Sequence, residues 1–232
     1  MNPLPPSTPS SKSTKKKPNL ASFSAAEYAA FFQILKEHTP KPISDLNYTN
    51  HFTLLVAVVL SAQSTDKGVN KATKTLFEQV SSPAEMIALG EPALKEHIKT
   101  IGLFNTKARN VMALSALLIR DYGGQVPNTR AGLMSLPGVG RKTANVVLNV
   151  AFGEETFAVD THIFRVGNRT GIAPGKTPDH VENVLDKIVP APYRQHAHHW
   201  LILLGRYTCV ARKPKCAECL VRHLCHFSDK TV

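Results

Sequence analysis

The chain has 232 residues, 43% of them hydrophobic, enough to bury a core and, once a polar leader is set aside, to form two small domains. Lysine and arginine total 28 against 17 acidic residues, a formal net charge of +11 that favours a polyanionic partner through counterion release. The longest uncharged, mostly apolar run, Phe52 to Ala62, is too short for a bilayer, and no secretory leader is recognisable, so membrane-embedded and disulfide-built secreted classes are not expected.

Residues 1–22 are rich in Pro, Ser and Thr, contain the run Lys15-Lys16-Lys17, and carry almost nothing to bury, which reads as a disordered basic tail. It is either a solvated leader or a flexible arm with weak affinity for polyanions, and it lacks the arginine-rich amphipathic character of a mitochondrial transit peptide. Ser24 and Glu27 have the spacing of a capping box, placing a helix start ahead of Tyr28, Phe31, Phe32 and Leu35. Further helices are predicted over Phe52–Ser61, Asp66–Val80, Ala93–Thr100 and Thr106–Tyr122, the last stopped by Gly123-Gly124. Lys142–Phe152, Thr161–Arg169, His180–Ile188 and Tyr193–Tyr207 complete the set. No alternating strand pattern is present, and the predicted class is all-α.

Two segments carry chemistry. In Leu136-Pro137-Gly138-Val139-Gly140-Arg141-Lys142, two glycines behind a proline lead directly into a helix-forming run, which makes a tight hairpin whose backbone can approach another molecule. The unpaired N–H groups at the start of the following helix suit a phosphate oxygen, and Arg141 and Lys142 sit beside them. The plainer alternative is an ordinary helix connection. The second segment holds all four cysteines, Cys209, Cys216, Cys219 and Cys225, with six, two and five residues between them. Four thiolates on tight loops suit a cubane iron–sulfur cluster or a tetrahedral structural zinc, in which His223 could replace one cysteine. Arg206, Arg212, Lys213 and Lys215 surround the first two cysteines and would present a basic loop to a nucleic-acid backbone, unless they form only a solvated face.

The hairpin resembles that of the helix-hairpin-helix DNA glycosylases, and Val159-Asp160-Thr161-His162-Ile163-Phe164-Arg165-Val166 resembles the segment holding that superfamily's aspartate. With the cysteine spacing added, residues from about Ser24 to Phe227 are similar to the endonuclease III family of base-excision-repair glycosylases with abasic-site lyase activity. That resemblance implies a six-helix barrel domain carrying the hairpin, residues 43–153, beside a helical domain formed by both chain ends, residues 23–42 and 154–232, which holds a 4Fe–4S cluster. It implies a monomer acting on duplex DNA that contains damaged bases or abasic sites, with no membrane partner, in the cytoplasm and, in a bacterium, at the nucleoid.

The chemistry needs a nucleophile able to form a carbonyl-like covalent intermediate and a carboxylate to support positive charge on the sugar. By resemblance these are Lys142 and Asp160. Lys142 must be neutral to attack, and desolvation with the positive helix end would favour that; read alone, it is a surface or phosphate-binding lysine. Asp160 also suits an N-cap before Thr161. Because a base inside a duplex is out of reach, the target must be flipped and the gap filled. The resemblance assigns the plug to Gln63, the apolar wedge to Leu103 and the lesion pocket to Ser61 and Asp66, although Leu103 could be core, Gln63 a loop amide and Asp66 a helix cap. The hairpin residues Leu136, Gly138, Gly140 and Arg141, with Arg212, Lys213 and Lys215, are the expected DNA contacts. Many relatives have an acidic residue where this chain has Met134, so a proton network from that acid to Ser61 and Asp66 is not expected to be intact.

Three other readings fit less well. An adenine-removing mismatch glycosylase needs a glutamate in the helix before Gln63, and no Asp or Glu occurs from Leu46 to Thr65. A non-catalytic DNA-binding module would bind without cleaving. An iron–sulfur redox carrier would need neither the glycine hairpin nor the positive charge. The expected substrates are oxidised pyrimidines, an expectation that comes wholly from the resemblance.

Overall fold

The computed structural model describes residues 23–231; the basic tail expected over residues 1–22 lies outside them. Among the described residues every regular element is helical. Helix α1 (Ala25–His38) starts at the capping box, with Ser24 accepting from the Glu27 amide and Glu27 accepting from the Ser24 amide. Helix α2 (His51–Ser61) has the same device built from Asn50 and Thr53, and it is apolar all round and buried along nearly its whole length. The helix expected over Asp66–Val80 is instead two, α3 (Asp66–Thr73) and α4 (Leu76–Gln79), parted by a turn at Lys74-Thr75. Two short helices escaped the periodicity: α5 (Pro83–Leu89), capped by Ser82 with Pro83 in its first turn, comes before α6 (Glu91–Ile98), and α8 (Arg130–Met134), capped by Thr129, follows α7 (Phe104–Tyr122). Both are too brief for a helical repeat to emerge.

Helix α7 ends where Gly123 turns left-handed and the Gly124 amide reaches back to the Leu118 carbonyl. Helix α9 (Arg141–Phe152) follows the hairpin, and α10 (Thr161–Thr170) and α11 (Pro178–Ile188) follow in turn. The helix expected over Tyr193–Tyr207 is composite: a 3-10 turn over Ala191–Tyr193, α12 (Arg194–Leu203), and a wide π-turn over Leu204–Thr208 that delivers Cys209.

Two apolar cores result. The first is built around α2 by α3 to α9 and runs from Leu46 to Leu148. The second joins the two ends of the described chain, packing Phe23, Phe31, Phe32 and Leu35 against Phe157, Ile163, Leu185, Trp200 and Val221. Across the seam, Arg141 on α9 reaches Glu182 on α11, with Nη2 to Oε1 at 2.7 Å. Buried Asn145 donates to the same carboxylate at 3.1 Å and to the Phe157 carbonyl at 2.9 Å. Glu182 itself is buried, so these donors are what make its charge tolerable there.

Candidate active site and cluster site

The ends of several helices meet at a cavity of about 320 Å³ between the two cores. Ser61 closes α2, Asp66 opens α3, Lys142 stands in the first turn of α9, and Asp160 caps α10; all four line it. Residues separated by almost a hundred positions in the chain are thereby brought to one opening.

Asp160 accepts the His162 and Ile163 amides, each at 2.9 Å, through Oδ1, and His162 Nδ1 lies 2.7 Å from Oδ2. Its cap role and its place in the cavity therefore coexist. Burial is the largest influence on its carboxyl and acts to raise it. Hydrogen bonds from His162 and Ile163 and the charges of Lys142 and His162 outweigh that and hold it below the usual carboxylate value. Lys142 is exposed at the mouth, so the burial expected around its amine is absent.

Asp66 does not cap α3, because Thr65 does, accepting from Gly68 N. The Asp66 carboxylate is paired instead with Arg206, which also grips Asp45, and Tyr207 donates to Asp45 at 3.1 Å. Arg206, grouped by sequence with the DNA-facing cations, is thus turned into the cavity wall. Asp45 and His198 also line the cavity and were missed by the sequence reading. For His198 there was a signal, a histidine pair against Trp200 on an apolar helix; for Asp45, 161 residues from its partner, there was none. The Ser61 hydroxyl donates to the Val58 carbonyl at 2.8 Å, which leaves it only acceptor capacity toward the cavity. Met134 ends α8 and is not among the lining residues.

Beside the mouth lie two exposed residues with left-handed backbones, Gln63 at φ 54° and Leu103 at φ 60°. Leu103 is 60% exposed, so it is not core. The loops abut, since a Cβ added to Gly102 would sit 3.9 Å from the Gln63 carbonyl oxygen. Below them Lys107, a buried lysine on the apolar stripe of α7 with Val111, Leu114 and Leu118, donates to Ser64 Oγ at 2.7 Å. Burial lowers the Lys107 amine's affinity for its proton. Backbone strain at two adjacent exposed residues is the kind that persists where function requires it.

In the hairpin, Leu136 is 2% exposed, so its side chain anchors the turn rather than meeting DNA. Gly138 has φ 80° and lies against Asn110, whereas Gly140 is open and leaves the first amides of α9 without a side-chain cap. Arg141, also expected on the DNA, has its charge engaged by Glu182.

The four cysteines line one cleft, tied into no disulfide, and His223 is not among its lining residues. Arg169 donates to Cys209 Sγ at 3.7 Å and the Phe227 amide to Cys225 Sγ at 3.4 Å. Burial raises the Cys219 and Cys225 thiols, and charge on neighbouring cysteines raises them further, so four thiolates there require a positive centre between them. No three His, Cys, Asp or Glu side chains among the described residues are grouped to hold a single metal ion. A lone zinc would need sulfurs about 2.3 Å from it. The donor set fits a wider, all-thiolate cluster. Arg212, Lys213 and Lys215 are exposed on the intervening loop, which Arg169 pins through the Val210 and Ala211 carbonyls at 2.7 and 3.2 Å.

Residues 56–191 match the model of the HhH-GPD superfamily base excision DNA repair proteins, and residues 209–225 match the iron–sulfur binding domain of endonuclease III. Endonuclease III of Escherichia coli K12 is 55% identical over 196 residues, 84% of this chain and 93% of that protein, and endonuclease III of Haemophilus influenzae matches to the same extent. A solved structure of a trapped endonuclease III–DNA covalent intermediate superposes with a TM-score of 0.81 at 44% identity, covering 88% of this chain and 96% of that one. The chain belongs to the HhH-GPD superfamily of base excision DNA repair proteins and, within it, to the endonuclease III family. It is a DNA glycosylase and abasic-site lyase with a 4Fe–4S cluster.

Proposed function

We propose that this enzyme excises oxidised pyrimidines from duplex DNA, with Lys142 as nucleophile and Asp160 as its partner carboxylate. The observation that carries the assignment is that, among the described residues, Lys142 is the one lysine lining the cavity of about 320 Å³, and Asp160 lines it too. Lys142 Nζ attacks C1′ as the C1′–N bond breaks, and the base departs with a proton. Loss of the amine's proton and opening of the sugar ring give an iminium; removal of a C2′ proton then expels the 3′ phosphate, and water releases the lysine. Asp160 stays ionised under its hydrogen bonds, so it serves as a weak base but a well-placed negative charge for the developing oxocarbenium. The desolvation that Lys142 lacks in the free protein is supplied by the duplex closing over the mouth.

In this reading Leu103 wedges the stack, Gln63 fills the gap, and Ser61 and Asp66 border the flipped base. Gly138 lets the hairpin turn, Gly140 lets a phosphate reach the α9 amides, and Arg212, Lys213 and Lys215 track the backbone. Leu136 supports the hairpin from inside, and Arg141 ties the start of α9 to Glu182. The cluster, when bound, supplies the positive centre that holds Cys209, Cys216, Cys219 and Cys225 together and so fixes the basic loop. Residues 43–153 form the barrel unit and residues 23–42 with 154–232 the cluster unit, following the two cores. The enzyme acts as a monomer, in the cytoplasm and at the nucleoid of a bacterial cell.

Borohydride trapping on a duplex with one thymine glycol tests the central assignment. The wild type is expected to give a covalent adduct that Lys142→Gln abolishes while cluster absorbance is retained. An undiminished adduct in that variant would transfer the nucleophile to another amine.

A further inference from the structure

One side chain of the cavity has no part in that mechanism. His198, on α12, is 1% exposed yet lines the cavity with Lys142 and Asp160. Its Nδ1 accepts the Ala158 amide at 3.3 Å, so the ring's hydrogen resides on Nε2. Burial pushes the ring down to about 3, with His199 and Lys142 adding to the effect and Asp160 opposing it; the ring is neutral at any working pH. Nε2 makes no hydrogen bond among the described residues, and it is not one of the sealed unpaired nitrogens, which are His199 Nδ1 and His226 Nδ1. Its N–H therefore opens onto the cavity.

Two of the neighbouring polar groups are already committed. Arg206 is held by Asp45 and Asp66, and the Ser61 hydrogen is given to Val58. A flipped nucleotide enters with its sugar held at the exposed Lys142 and the far edge of its base deepest, where His198 is buried. For a pyrimidine that far edge carries the C4 substituent.

We propose that His198 is a specificity-determining residue whose Nε2–H donates to the C4 carbonyl oxygen of the flipped pyrimidine, favouring bases with oxygen there over bases with an amino group. An amino group would set donor against donor, and the pinned tautomer prevents the ring from adapting. The inference rests on the glycosylase reading above and deepens it.

Single-turnover base release from duplexes carrying 5-hydroxyuracil or 5-hydroxycytosine, which differ in the C4 substituent and in the hydrogen on N3, tests it, with cleavage of a preformed abasic site measured alongside. His198→Asn keeps an acceptor for the Ala158 amide and removes the distal donor, whereas His198→Gln restores a donor near the Nε2 position. His198→Asn is expected to lose about tenfold on 5-hydroxyuracil and little on 5-hydroxycytosine, with abasic-site cleavage unchanged and His198→Gln recovering most of the loss. Equal losses on both bases and on the abasic site, in either variant, would make His198 a structural residue and overturn the proposal, as would no change on either base. A wild type that cleaves abasic sites but releases neither base would sink the substrate reading itself, a distinguishable failure.

Discussion

Gly138 and Gly140 stand two residues apart, yet an added methyl should do different damage at each. At Gly138, φ of 80° costs an alanine about 1–2 kcal/mol, partly offset by about 0.4–1 kcal/mol from a less flexible unfolded chain. The new Cβ would also lie 2.8 Å from Asn110 Nδ2 and 3.0 Å from Asn110 Cβ, forcing that side chain from its well for about another 0.5–1.5 kcal/mol. The net is a loss of about 1–2 kcal/mol, or roughly 5 °C in melting temperature for a chain of this size. At Gly140, φ is −90° and nothing lies within 4 Å, so alanine fits. Its poorer N-cap propensity is offset by its lower unfolded entropy, and the melting temperature should stay within about 1 °C of wild type. The methyl nevertheless occupies the space before the α9 amides, where a phosphate must approach, and should weaken binding to an abasic-analogue duplex about tenfold. Thermal melts followed by circular dichroism, with fluorescence anisotropy for affinity, separate the two effects. Gly140→Ala melting below Gly138→Ala, or binding DNA as tightly as wild type, would refute the assignment of conformational and contact roles to the two glycines.

Two further outcomes follow from charge. Burial holds His198 at about 3 and His199 at about 4, below the unfolded value near 6.5. The unfolded chain thus binds more protons, and stability should fall as pH drops from about 6.5 toward about 4, by about 1.4 kcal/mol per pH unit for each ring. Urea midpoints at pH values of about 7, 6 and 5 should decline accordingly, and about half as steeply in His199→Gln, where His198 remains; a constant midpoint in the wild type would mean the rings charge in the native state. Lys213→Ala with Lys215→Ala should reduce the steepness of the salt dependence of DNA binding by about 1 to 2 units while leaving cluster absorbance intact, and an unchanged slope would remove the loop from the DNA interface.

How far the molecule could be read in advance differs from residue to residue. The capping box at Ser24, the left-handed stop at Gly123 and the hairpin at Gly138 are local devices, set by side chains within a few positions, and all stand where the sequence places them. The single helix expected through Lys74 is two, parted at Lys74-Thr75, because hydrophobic periodicity continues across a short polar turn and does not register it. The residues grouped by resemblance, Ser61, Asp66, Lys142 and Asp160, line one cavity, whereas the Leu136 side chain is buried and Arg141 is bound to Glu182.

By itself the sequence determined the all-helical class, the four-thiolate segment, the hairpin and the positive charge, since each depends on composition or on spacing shorter than a helical turn or loop. The tertiary structure alone decided which charges are free. Arg206 meets Asp45 across 161 residues, Arg141 meets Glu182 across 41, and Ala158 fixes the His198 tautomer across 40. Such pairs form only when separate helices converge, and desolvation at their junction, which no local pattern records, turns an ordinary side chain into a committed partner or an open donor.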